Sequence, residues 1–204
     1  MSTGRQVVRM LVPAIVLALV MTPVTVRADV EQNDKALKEL QDAKLTIDKA
    51  IKTAEEYCEG TAVSAHVKVS KYGGSRVVVR CLADDKCAEV HVGVKDGKAL
   101  RKREITKPPK DAGDDILKTK DVVTMMEKAK VTLSKAIEAA EKHTKGTAIQ
   151  AVPSVKEDKL QIVVCCKADD KWLNAFVDGE TGKVTKTEEV KKEEKEKKED
   201  KDKP

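Results

Sequence analysis

Ile47, Ala50, Ile51, Ala54 and Cys58 recur at spacings of three and four, one stripe of an amphipathic helix. The same stripe returns at Leu133, Ala136, Ile137 and Ala140. Thr46 and Thr132 stand just before the two stripes, where a hydroxyl accepts from the free N–H groups of a first helical turn. Gly60 and Gly146 stand just after them, where a left-handed glycine would stop the helix. Beyond Gly60 the pattern changes to short runs rich in branched aliphatics, at 62–70, 76–82 and 88–94. Turn-forming residues separate these runs at 71–74 and 83–86, and 157–158 and 168–170 do the same after Gly146. The predicted fold class is α+β: two repeated units, each one helix packed on a small antiparallel β-meander. Such a sheet can bury one face and leave the other wet, which suits units this short.

The likeness of the two halves is an internal repeat. Residues 45–55 match 131–141, and Gly60-Thr61-Ala62 matches Gly146-Thr147-Ala148, 86 positions on. Val78-Val79 and Ala83-Asp84-Asp85-Lys86 match Val163-Val164 and Ala168-Asp169-Asp170-Lys171 at an offset of 85, so a single deletion relates the copies. The chain is a tandem duplication. The organisation expected from it is a signal peptide at 1–28, a first copy at 45–105 and a second copy at 131–190. Between the copies, 106–130 is a linker and lead-in helix, opened by Pro108 and Pro109, which favour extended chain. Residues 31–44 read as a short helical lead-in, and 191–204, nearly all Lys, Glu and Asp, as a disordered tail.

The helix with Lys-Ala-Ile-x-x-Ala (Lys49, Ala50, Ile51, Ala54; Lys135, Ala136, Ile137, Ala140), the glycine after it and the valine-rich hairpin lead to a closing motif. That motif, Val-Asp-Gly-Glu-Thr-Gly-Lys-Val, spans 177–184. In these residues the chain resembles the PepSY domain family. The first copy carries a degenerate closing motif, Val92-Gly93-Val94-Lys95-Asp96-Gly97-Lys98, so its part in the resemblance leans on the helix and the repeat. The resemblance implies a small α+β module found in exported bacterial proteins and in propeptides of secreted peptidases. It also implies binding or inhibition of peptidases, and it brings no shared catalytic residue. No peptidase domain accompanies the two copies, which points to a free-standing tandem protein.

The N-terminus reads as an address. Arg5 and Arg9 precede the apolar run 10–20, Pro23 follows, and Val26 and Ala28 are the small residues of a cleavage site. Cleavage after Ala28 would give a secreted or periplasmic protein with no stable membrane insertion thereafter. The apolar run is shorter than the roughly 20 residues a spanning helix needs. Charge narrows the partners. Lys plus Arg total 40 against 35 for Asp plus Glu, a net +5. Three of the positives (Arg5, Arg9, Arg27) lie in the leader and the tail is itself basic, so the body is near neutral. With four aromatic rings (Tyr57, Tyr72, Trp172, Phe176), there is no footprint for nucleic acid.

Five cysteines in an exported protein suggest a disulfide with one thiol or more left over. The topology places Cys58, Cys81 and Cys87 at one end of the first unit, a candidate disulfide cluster. Proximity across a short loop favours Cys81 with Cys87. Facing favours Cys58 with Cys81, since both lie on inward stripes and Cys87 points outward. In the second copy Thr144 and Trp172 replace Cys58 and Cys87, leaving Cys166 inward and Cys165 outward. A thiolate metal site with His66 or His91 fits no established zinc spacing, so no metal or other cofactor is expected. His66, His91 and His143 lie in separate elements, and no nucleophile or phosphate-loop motif appears. Asp84-Asp85 and Asp169-Asp170 read as turn residues. The chain is therefore read as a non-enzyme, a protein- or peptide-binding module with a secreted peptidase as the partner implied by the resemblance. The alternatives are an envelope scaffold using the charged tail, and a thiol- or metal-handling protein. The candidate binding edge is the first strand of copy one, at Val63, Ala65, Val67 and Val69; in copy two Pro153 removes a donor from the matching strand.

Overall fold

The computed structural model describes residues 30–70, 74–84, 86–105, 115–156 and 159–190. Two helices, α1 (Val30–Asp42) and α2 (Ile47–Cys58), precede four strands: β1 (Thr61–Lys68), β2 (Arg76–Ala83), β3 (Lys86–Gly93) and β4 (Ala99–Glu104). The series then repeats as α3 (Asp115–Ala129), α4 (Leu133–Thr144), β5 (Thr147–Lys156), β6 (Lys159–Ala168), β7 (Lys171–Asp178) and β8 (Val184–Glu189). The two stripes form α2 and α4. Thr46 Oγ1 accepts from the Lys49 N–H and Thr132 Oγ1 from the Lys135 N–H, each at 3.2 Å. The left-handed residues at the helix ends are Glu59 (φ 54°) and Lys145 (φ 55°), not the glycines that follow. The glycines serve another purpose: a Cβ on Gly60 would lie 2.4 Å from the Leu82 carbonyl oxygen, and on Gly146 2.5 Å from that of Lys167. They let the helix end close onto the far end of the second strand of each copy.

The strands do not form two separate meanders. They make one antiparallel sheet of eight strands in the order β4-β3-β2-β1-β5-β6-β7-β8. This overturns the expected fold of two units, each one helix on its own small meander. The reason is that an isolated meander leaves β1 with a row of unpaired backbone groups. The second copy carries the same strand, so the two satisfy one another. The junction is Ala65 opposite Ala151, equivalent residues of the repeat at the offset of 86. Asp48 and Ser134, equivalent at the same offset, are hydrogen-bonded across α2 and α4. Two self-equivalent pairs in contact place a pseudo-two-fold axis through both seams, the single-chain counterpart of a symmetric dimer interface. The ladder is short, Ala65–Ala151 and His66–Gln150, and it stops before Pro153, which has no N–H to give.

Register then assigns the faces. Lys102, Val90, Val79, Ala65, Ala151, Val164, Ala175 and Thr187 are successive partners across all eight strands, and the six between the end strands are apolar. One residue along, the row reads Arg101, His91, Val78, His66, Gln150, Cys165, Asn174 and Glu188. Side chains alternate between faces along each strand, so one face is aliphatic and the other mostly polar. α2 packs on β1, β2 and β3, and α4 on β5, β6 and β7; α2 also reaches β5 and α4 reaches β1, so both straddle the seam. Ile47, Ile51, Val77, Val79, Val90, Leu133, Ile137 and Val164 are fully buried in the common core. Small residues at the seam, with Ala50, Ala54, Ala136 and Ala140 on the helices, let helix and sheet approach closely. β4 and β8 were absent from the strand pattern because an end strand pairs on one side only. ALRKRE and VTKTEE remain mostly exposed and show no buried alternation.

Candidate binding surface

The expected binding edge is interior. Val63 and Ala65 are buried within β1, Val67 is half-buried against the core, and Val69 lies just past the end of β1. The sheet ends instead at β4 and β8. In β4 every residue after Ala99 is exposed, Leu100 to 61%, and Arg101, Lys102 and Arg103 follow it. The direction of its donors follows from one bond, the Ile105 N–H donating to the Cys87 carbonyl at 2.8 Å. In an antiparallel ladder alternate residues turn the same way. Arg103 and Arg101 therefore point their N–H groups inward to β3, and Glu104 and Lys102 point theirs to the open side, up to the register shift between Arg101 and Ala99.

Beside this edge the polar face gathers charge. Glu89 and Arg80 are cross-strand partners, as are Glu89 and Arg103, and His91 and Arg101. His91 Nε2 and Glu89 Oε1 are 2.5 Å apart. Burial acts to raise the Glu89 pKa, but the hydrogen bond with His91 and the positive groups of His91, Arg80 and His66 outweigh it, holding the carboxyl below its usual 4.5. Burial lowers His66 below 6.5. The patch is basic on balance, with three arginines around one carboxylate. A pH prediction follows. A depressed carboxyl contributes stability that is complete above its unfolded value and is lost as pH falls through the folded one. Glu89→Gln should therefore be less stable than the native protein above pH 4.5, by about 1 kcal/mol or less for a partly exposed pair, and the two should converge in more acidic solution. Urea melts from pH 7 to pH 3 check this; parallel curves would contradict it.

Two pairs of contacts were invisible to the sequence reading. Glu55 Oε1 accepts from the Ala62 N–H at 2.9 Å and Glu141 Oε1 from the Ala148 N–H at 2.8 Å, so each helix holds the start of the strand after it. The recurrence of Ala-Glu at 54–55 and 140–141 was the available signal. The second contact crosses the copies: Trp172 Nε1 and Lys167 Nζ both donate to Asp34 Oδ1 of α1, at 3.1 and 3.2 Å. Nothing local could announce a bond across 138 positions.

Cys81 has both Cys58 and Cys87 as neighbours, all five cysteines are buried, and none is joined in a disulfide. Among the described residues no group of His, Cys, Asp or Glu is arranged to hold a metal ion. No described helix is long and apolar enough to cross a membrane, which leaves strands unaddressed. The expected signal peptide, most of the linker and the charged tail lie outside the described residues.

No family model matches the chain, and no curated protein matches it. The resemblance to PepSY domains therefore stands on the residues that carry it. Solved structures similar to this chain include a lipoprotein-described chain of Clostridium difficile 630, with a TM-score of 0.42 and 17% identity, covering 69% of this chain and 90% of that one. The Bacillus megaterium YpeB C-terminal domain is similar at a TM-score of 0.26 and 14% identity, covering 74% of this chain and 65% of that one. At these scores neither likeness carries an argument about function.

Proposed function

We propose that this chain is an exported, non-catalytic binding module that takes an extended, acidic protein segment as an added strand along β4. The observation that carries the reading is the β4 edge itself, with outward backbone donors at Lys102 and Glu104 beside Arg80, Arg101 and Arg103. Strand addition gives affinity through main-chain hydrogen bonds, while alternate side chains set the choice of partner. Basic flanks favour an acidic strand and raise its rate of encounter. Export is supported by the leader-like pattern of residues 1–28. A secreted peptidase is the partner class that the PepSY resemblance implies, and an exposed acidic segment of such an enzyme is the kind of epitope this edge suits.

The test uses short extended peptides of alternating acidic and β-branched residues, with basic and proline-interrupted peptides as controls. Acidic peptides should bind, and more weakly as salt rises. Lys102→Pro removes an outward donor and keeps the inward ladder, because an edge strand tolerates proline there. It should weaken binding by about tenfold or more, while Lys102→Ala, which spares the backbone donor, should change it little. Binding that survives Lys102→Pro in a protein with unchanged circular dichroism would overturn the β4 reading.

A further inference from the structure

Cys58 is the last residue of α2, where its thiol donates to the Glu55 carbonyl at 3.8 Å, and Cys81, near the end of β2, has Cys58 as its neighbour. Both belong to the common core beneath the helices. Cys81 is paired in register with Ala62 and Ala88, whereas Cys87 is paired with Leu82, one residue along and so on the opposite face. The second copy keeps the same touch point: Thr144, which takes the place of Cys58 and donates to the Ala140 carbonyl at 2.8 Å, neighbours Cys166, which takes the place of Cys81. The repeat therefore builds one helix-to-strand contact twice, and only the first carries sulfur on both sides.

We propose that Cys58 and Cys81 form a disulfide that staples the end of α2 to β2, with Cys87, Cys165 and Cys166 left as thiols. The bond joins residues across the β1–β2 hairpin and fixes the helix end that Gly60 already brings onto β2. Burial first, and then the Cys58 contact, push the Cys81 thiol well above its usual 9.0. Burial likewise pushes Cys165 and Cys166 up to about 12. The folded core is thus poor in thiolate, the attacking species, so the bond forms while the chain folds. One cysteine thiolate attacks a small disulfide oxidant such as glutathione disulfide, giving a mixed disulfide and one glutathione thiol. The second cysteine thiolate displaces the other glutathione; two protein thiols lose two electrons and two protons in all, and the oxidant becomes two thiols. The proposal rests on the export reading for its oxidising compartment in the cell, but not for the pairing, which the purified chain tests directly.

The full chain is reduced, unfolded, refolded with reduced and oxidised glutathione, alkylated in denaturant and digested. The expected product is about 2 Da lighter before alkylation, with one linked peptide pair holding Cys58 and Cys81 and alkylated Cys87, Cys165 and Cys166. Its melting temperature should exceed that of the reduced protein by roughly 5–10 °C. Cys58→Ser should abolish both the link and the shift. Thr144→Cys should add a second link, to Cys166, under the same conditions. Five alkylated cysteines, or a link to Cys87, would overturn the proposal. Linked protein from refolding but unlinked protein trapped by alkylation in whole producing cells would leave the pairing standing and count against export.

Discussion

Trp172→Ala is expected to lower stability by about 3–5 kcal/mol, the range for removing a large buried ring. The ring is 3% exposed and belongs to the common core, so its loss opens a cavity as well as losing transfer energy. Lys167 Nζ stands 5.3 Å over its centroid, and both side chains reach Asp34. The polar part is the smaller one. Asp34 is 51% exposed in this pair, so water replaces a lost partner, and Asp34→Ala should cost about 1 kcal/mol or less. Trp172→Phe keeps most of the apolar body and loses the donor, and should fall near 1 kcal/mol as well. Denaturant melts of the three variants rank these effects. If Trp172→Ala cost no more than Asp34→Ala, the contact between α1 and the second copy would be a surface ion pair rather than part of the core.

The contrast shows where the sequence was readable. Periodic positions on α2 and α4 and their threonine caps depend on neighbours within one turn, and they were legible. So were the first three strands of each copy, whose alternation reflects a buried face. Parity along β2 turns Cys81 toward the same core as Cys58, and both lie in the common core. What escaped depended on the other copy. Nothing in residues 61–68 distinguishes an edge strand from a central one, because the partner that makes it central is its own duplicate 86 positions away. The bias toward aliphatics in β1, with Ala62, Val63 and Ala65 buried, is what a central strand requires, and it was read as a binding edge. Conversely the charges of β4 leave no buried alternation to mark it as a strand, although lysine and arginine are what an exposed edge uses to resist uncontrolled pairing. The same residues thus bear on both the fold and the proposed function. An edge protected by positive charge can still accept a strand that brings negative charge.

The second large effect is expected at Gly60. A Cβ there would sit 2.4 Å from the Leu82 carbonyl oxygen and 2.8 Å from the Ala83 Cβ. The obstruction is mainly backbone, which cannot rotate away as a flexible side chain can. Gly60→Ala must therefore lift the end of α2 from β2, straining the Glu55 bond to the Ala62 N–H and the contact between Cys58 and Cys81. The cost should reach about 3 kcal/mol, the upper part of the overpacking range. Gly146→Ala meets the Lys167 carbonyl at 2.5 Å and should cost a similar amount. Gly74 separates this cause from the usual one. It has φ +35° but nothing within 4 Å of an added Cβ, so Gly74→Ala carries only a backbone penalty of about 1 kcal/mol. Equal costs for Gly60→Ala and Gly74→Ala would mean that Gly60 serves only to turn the chain. A larger cost at Gly60, together with loss of the Cys58–Cys81 link on oxidative refolding, would place close approach of helix and strand at the root of both.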